Sequence, residues 1–146
     1  MQIAIISGST LGGAEYVAER LADELGEQGF SCDLLAGPQL SEVNAAVWLI
    51  VTSTHGAGEL PDNLKPFYQQ VAASDTDFSQ LRYAIVGLGN SDYDTFCYAV
   101  RHLENLLAEK GAQRLCDSLK IDVINVDDHE QYAADWLPNF TATLAD

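Results

Sequence analysis

Two kinds of apolar pattern alternate along this chain. Short unbroken runs read as strands: Ile3-Ala4-Ile5-Ile6, the segment Ala46 to Val51, and the segment Tyr83 to Val86. The second of these is too apolar for a sheet with one wet face. A weaker strand falls at Cys32-Asp33-Leu34-Leu35, and a final one is divided between the Leu115 region and Ile121-Asp122-Val123-Ile124. Between the runs, apolar residues recur at helical spacing. Val17, Leu21 and Leu25, with Ala18 and Ala22 beside them, form one stripe, while Glu15, Glu19, Asp23 and Glu27 face away. Gly29 closes that helix. Leu64, Phe67 and Val71 mark a second helix, started by Asp62 or Asn63, with Pro66 in its first turn. Phe96, Val100, Leu103 and Leu107 mark a third that ends at Gly111. A fourth starts at Asp127 or Asp128 and contains Trp136, and Pro138 predicts a break or kink before Leu144.

Strand and helix thus repeat along residues 1–146 without repeats, linkers or low-complexity tracts. That alternation predicts one α/β domain whose parallel sheet is covered on both faces. In such sheets ligands gather outside the carboxyl ends of the strands, at the topological switch point. The segments that follow the first, third and fourth strands are therefore the ones to read for chemistry.

After the first strand, Ser9-Thr10-Leu11-Gly12-Gly13-Ala14 leads into a helix. Glycines let the backbone turn its N–H groups inward, and the helix start adds the positive end of a dipole. The Ser9 and Thr10 hydroxyls can donate as well. Together these make an anion cradle that needs no cationic side chain. Gly8, Gly12 and Gly13 do not give GxGxxG, and no Gly-Lys-Ser/Thr follows, so neither the dinucleotide fingerprint nor a nucleoside-triphosphate loop is present. After the third strand comes Thr52-Ser53-Thr54-His55-Gly56-Ala57-Gly58, where spaced glycines admit a flat ligand and His55 offers a planar face. After the fourth comes Gly87-Leu88-Gly89-Asn90, a tight-turn sequence, and then Tyr93, Phe96 and Cys97 at the start of a helix. Each loop has a plain structural explanation when taken alone. Meeting at one edge of the sheet, they describe a phosphate held by one loop and an aromatic ring clasped by two.

Charge narrows the function classes. Seven Lys and Arg against 22 Asp and Glu leave a formal charge of −15. Such a surface repels nucleic acid and anionic lipid and favours basic partners, so nucleic-acid and membrane binding are set aside. No apolar run approaches the ~20 residues that span a bilayer. The start of the chain has no basic region followed by a long apolar stretch, and Cys32, Cys97 and Cys116 form no CxxC pair. A cytoplasmic protein with reduced thiols is expected.

At its three loops the chain resembles a flavodoxin, and the resemblance covers essentially its whole length. STLGGAE from Ser9 stands where that family binds the phosphate of flavin mononucleotide (FMN). STHGAGELPDN from Ser53 and GLGNSDYDTFC from Gly87 are similar to the two isoalloxazine loops of sulfite-reductase and cytochrome-reductase flavin domains. In detail the chain resembles the MioC-type short-chain flavodoxins, with no long insertion in the last strand region. One departure is His55, where many relatives carry a tyrosine.

The resemblance implies a flavodoxin-like, doubly wound five-stranded parallel sheet of order 2-1-3-4-5 with helices on both faces. It implies FMN as cofactor, with Ser9, Thr10, Leu11, Gly12, Gly13 and Ala14 at the phosphate. Ser53, Thr54, His55, Gly56, Ala57, Gly58, Leu88, Gly89, Asn90 and Tyr93 would surround the ring. Phe96 and Cys97 would line that pocket, and Asp127 would approach the ribityl chain. The implied function is an electron carrier between a separate, basic NADPH-dependent flavodoxin or ferredoxin reductase and an electron-acceptor protein. The loops contain no nucleophile–base pair and no clustered metal ligands, so independent enzyme activity is not expected. Two other readings stand beside this one: a small FMN flavoenzyme that reduces quinones directly, and a flavin-free regulatory or interaction module. A phosphoacceptor receiver domain shares the sheet order but needs an aspartate at the end of the third strand, where this chain has Thr52-Ser53-Thr54.

Overall fold

Strands that are apolar on both faces need cover on both sides, and helices supply it here. The computed structural model describes residues 2–9, 12–54, 58–92 and 96–144. In chain order the elements are β1 (Gln2–Gly8), α1 (Gly13–Glu27), β2 (Ser31–Ala36), β3 (Val47–Ser53), α2 (Lys65–Ala73) and β4 (Arg82–Gly89). They are followed by α3 (Tyr98–Glu109), β5 (Gln113–Arg114), β6 (Leu119–Asp122) and α4 (His129–Thr141). A single 3-10 turn at Leu40–Glu42 stands between β2 and β3. Every strand pair is parallel, in the order β2-β1-β3-β4-β5, with β6 also paired to β4. The divided final strand is thus two short segments sharing the fifth position. Among the described residues no helix is long and apolar enough to cross a membrane.

Strand alternation sorts the core into two layers. Ile3 and Ile5 of β1, with Val47, Leu49 and Val51 of β3, pack under α1 and α4. Ala4 and Ile6, with Trp48 and Ile50, pack under α2 and α3. Val17, Leu21 and Leu25 of α1 are fully buried, as their spacing predicts. The sheet grows from β1 to β2 on one side and from β1 to β3 on the other. That reversal opens a crevice at the carboxyl ends of β1 and β3.

Three helix ends differ from the sequence expectation. Asp62 and Asn63 do not cap α2, because a turn held by the Pro61 carbonyl delays the helix to Lys65. Helix α3 starts at Tyr98 rather than Phe96, because Cys97 takes a left-handed conformation, φ 53°. Helix α4 does not break at Pro138 but runs on to Thr141, with the Ala142 N–H on the Pro138 carbonyl at 3.0 Å. A proline inside a helix costs about 3 kcal/mol. Burying Phe140 and Leu144 contributes about 1.5–3 kcal/mol each, so packing wins.

Replacing the exposed Pro138 with Ala should therefore stabilise the fold by about 1–3 kcal/mol, the helical cost less the entropy that proline removes from the unfolded chain. In urea unfolding the midpoint should rise at unchanged slope. A lowered midpoint would show that the proline suits this position.

Candidate functional site

The crevice begins where β1 ends. Gly8 lies beside Thr52 of β3, and a Cβ on it would stand 2.7 Å from the Leu64 Cβ. Its missing side chain lets the turn before α2 close over the loop. Ser9 follows, and Gly12 at φ 84° starts α1 without any side-chain cap. The first-turn N–H groups have no acceptor inside the helix. Packing does not demand glycine here: a Cβ would meet nothing within 4 Å at Gly12 and only Leu88 Cδ2 at 3.9 Å at Gly13. Bare backbone is thus left exposed at the positive end of a 15-residue helix. Ala14 is buried beneath it. Ser7, on the same strand face as Ile3 and Ile5, has a buried hydroxyl without a hydrogen-bond partner in the described structure.

Glu15 does not face away as its helical position predicts. Its carboxylate accepts from the Ser9 hydroxyl and, at 3.4 Å, from Asn63 Nδ2. Third in the helix, a carboxylate also interacts favourably with the helix dipole. Glu15 therefore joins the β1 loop to the turn before α2. Ser9 has one hydroxyl proton, and it is directed to Glu15. Among the described residues of this loop, the donors left for an external anion are backbone N–H groups.

The segment after β3 is bonded at its start to β4 and to α3. The Thr54 N–H donates to the Leu88 carbonyl at 3.1 Å, and Thr54 Oγ1 accepts from the Ala99 N–H at 3.2 Å. Cys97, in the cap position of α3, makes no side-chain cap bond, so Thr54 caps that helix from a different loop. At the far end of the same segment the buried Gly58 has φ 99°, and its carbonyl is 3.0 Å from His102 Nε2 on α3. Ser53 ends β3 half-buried, and Leu88 is buried near Gly13.

Asn90 closes its turn by accepting the Asp92 N–H at 2.8 Å. A Cβ on Gly89 would stand 2.9 Å from Cys97 Sγ and 3.1 Å from Phe96 Cδ1, so packing alone already requires glycine there. Cys97 is buried, and burial pushes its thiol up to about 12. Of the expected ligand residues, Thr10, Leu11, His55, Gly56, Ala57 and Tyr93 lie outside the described residues. Asp127 is exposed at a cavity of about 420 Å³ between the starts of α1 and α4, which Gly13 and Tyr16 also line.

The sequence pattern did not mark Asp122, the last residue of β6. Its Oδ1 accepts the Ser91 and Ile124 N–H groups, each at 3.2 Å, and Oδ2 accepts from the Asn125 amide. The Val123 N–H adds a bond to the Gly89 carbonyl at 2.9 Å. Asp122 so ties the β4 loop to the turn after β6. Hydrogen bonding from Ser91, above all from its side chain, holds the carboxyl below the usual range, and Ile124 and Asn125 add to this. The available signal was an aspartate at the end of a short strand, which is common to many loops.

Together the parallel sheet, the bare helix start at its switch point and the bonded loops beside it define a doubly wound α/β ligand-binding domain. The family model for flavodoxin matches residues 5–136, and the chain belongs to the flavodoxin family. It is 62% identical over 145 residues to the Protein MioC homolog of Haemophilus influenzae, covering 99% of each chain. To Protein MioC of Escherichia coli K12 it is 46% identical over 143 residues, covering 97% of each. Its fold matches a cysteine-to-alanine mutant of a flavodoxin from Pseudomonas aeruginosa with a TM-score of 0.92, at 34% identity and 99% coverage of both chains. Within the family it stands with the MioC-type short-chain members.

Asp122 gives the site an acid sensitivity with a definite sign. The folded state keeps this carboxyl charged at a pH where the unfolded chain protonates it. Its contribution is complete above the unfolded value of about 3.9 and is lost as pH falls from there through the folded value. In Asp122→Asn, stability should fall less steeply between about pH 5 and 3, by up to one proton's worth of slope. Urea unfolding at stepped pH measures this, and parallel curves for the two proteins would refute it.

Proposed function

We propose that the chain is an FMN-binding electron carrier that takes electrons from a separate basic reductase and passes them to an acceptor protein. The observation that carries this reading is the exposed backbone start of α1, set beside a segment bonded at its start to β4 and α3, in a chain of the flavodoxin family. The donor set suits FMN. Backbone N–H groups at Gly12, Gly13 and Ala14, in one loop with Ser9, Thr10 and Leu11, would hold the phosphate without a cation. Ser53, Thr54, His55, Gly56, Ala57 and Gly58 would flank one side of the ring. Leu88, Gly89, Asn90 and Tyr93 would flank the other. Phe96 and Cys97 sit behind Gly89 and give that loop its support.

Bound FMN supplies the redox chemistry, and the residues around it bind, orient and exclude water. The high Cys97 value keeps this thiol protonated at neutral pH, so it serves packing rather than nucleophilic chemistry. That supports a carrier over a flavoenzyme with a thiol of its own.

The partner reading rests on what surrounds the crevice. Of the acidic residues in the ring loops, Glu59 and Asp62 are engaged by Lys65 at 3.2 and 3.0 Å, and Asp94 lies outside the described residues. On the other side stand the exposed Asp92, Asp127, Asp128 and Glu130, with Arg20 of α1 offsetting part of the charge of the last two. Beside them stand exposed apolar side chains: Tyr16 at 62%, Ile124 at 46% and Tyr132 at 44%. Apolar contacts inside an acidic field suit a basic partner that docks at the ligand edge.

Two outcomes test the reading. Each hydrogen bond to the charged phosphate is worth about 1.5–3 kcal/mol net, so riboflavin should bind at least about 100-fold more weakly than FMN. Fluorescence titration compares the two, and equal affinities would overturn the phosphate assignment. The second concerns docking. Electron transfer from a basic reductase should slow as ionic strength rises, because screening at physiological salt acts over about 8 Å. Asp92→Asn with Glu130→Gln should slow it at low salt and flatten the salt dependence, with FMN affinity unchanged. Stopped-flow rates indifferent to salt, with flavin fully bound, would rule out steering.

A further inference from the structure

The segment after β3 is held to α3 at two points, and one of them is an exposed side chain. Thr54, at the start of the segment, is fixed by the Ala99 N–H at 3.2 Å. At its far end the Gly58 carbonyl lies 3.0 Å from His102 Nε2. A carbonyl oxygen only accepts, so Nε2 carries a proton and donates. Gly58 is buried, at φ 99°, where side-chain-bearing residues rarely sit. His102, by contrast, is exposed and belongs to neither apolar layer, although Ala99, Leu103 and Leu106 around it are buried. It therefore adds little to packing. Its contribution is one directed bond to the loop.

We propose that His102 is a positioning residue: by holding the Gly58 carbonyl it fixes the far end of the segment that leaves β3 at the ligand crevice. Thr54 is held at one end of the segment and Gly58 at the other, so both ends are in place before a ligand arrives. A ligand that meets an ordered loop binds without the entropic cost of arranging it. Without the donor on His102, that cost returns at each binding event. The identity of the ligand rests on the FMN reading, whereas the bond and its effect on the loop do not.

The test compares the wild-type protein with His102→Leu and His102→Gln. Glutamine keeps a side-chain N–H donor and leucine removes it. In flavin-free protein, amide hydrogen exchange at residues 58–60 should speed up by about tenfold in the leucine variant, while the buried amides of α3 keep their protection. FMN and riboflavin should both bind about three- to tenfold more weakly, by a common factor, because the loop stands on the ring side and the phosphate contribution is untouched. Glutamine should restore exchange and both affinities to near wild type. The proposal is overturned if leucine changes neither exchange nor affinity, if glutamine behaves as leucine does, or if only FMN weakens. His102→Ala replaces the leucine variant if that protein aggregates. Should the wild-type protein bind neither flavin, the FMN reading fails, and the exchange comparison still decides the role of His102.

Discussion

Helix α3 lies so close to β4 that no side chain fits between them. A Cβ on Gly87 would stand 2.2 Å from Val100 Cγ2, and one on Gly89 would stand 2.9 Å from the Cys97 backbone nitrogen. Contacts that short exclude any residue but glycine at both positions unless the helix moves away. Much of the crevice follows from this approach. It places Cys97 in the core at a left-handed φ of 53°, and it brings the open start of α3 to where Thr54 can cap it. It also carries His102 to within reach of Gly58. Thr54 and Gly58, at the two ends of the segment after β3, are therefore both held by a helix that the segment does not contain.

The electrostatics of the crevice are arranged without cations. A chain with charge −15 is at first sight unsuited to an anionic ligand, yet the donors at α1 are peptide N–H groups fixed by the fold. Such donors bring no counter-charge to the surface, so the field felt by an approaching protein stays negative around the ligand. The cations nearby are paired: Lys65 on the α2 side with Glu59 and Asp62, and Arg20 of α1 with Glu24 and in the field of Asp128 and Glu130. The two sides of the crevice differ in what they expose: the second carries the aromatic rings of Tyr16 and Tyr132 among its carboxylates. An asymmetry of that kind orients a partner as well as attracting it.

Most of the fold was legible in the sequence because apolar periodicity reports burial directly. The stripe Val17, Leu21 and Leu25 and the strand Ala46 to Val51 stand within two residues of where the pattern put them. The last strand is divided as expected, but at Gln113–Arg114 and Leu119–Asp122, with Val123 and Ile124 in the turn beyond it. Propensity misled where long-range contact outweighed it. Pro138 would stop an isolated helix, but Phe140 and Leu144 have a core to enter. The site was legible as glycine-rich loops after particular strands, and Gly12 and Gly58 do take positive φ. The bonds that shape those loops were not legible. Thr54 with Ala99, His102 with Gly58 and Asp122 with Ser91 are 45, 44 and 31 residues apart, and no local pattern announces such pairs. Gly89 was assigned to the ligand when its closest demand comes from Cys97.

The divided last strand has its own consequence. Arg114 pairs with Tyr83 and Leu119 with Val86, so four residues on the outer segment stand opposite two on β4. The two surplus residues leave the ladder, and β6 is held in register by its own bonds on the far side. Closure of a loop costs only about 0.6 kcal/mol more for each doubling of its length. The fully exposed Asp117, between Cys116 packed on the core and Ser118 bonded to Glu104, is therefore where the chain can grow without shifting Asp122 or the turn it organises. The same gap that splits the strand separates the evolution of chain length from the geometry of the crevice, and it offers a natural seam for grafting a second domain.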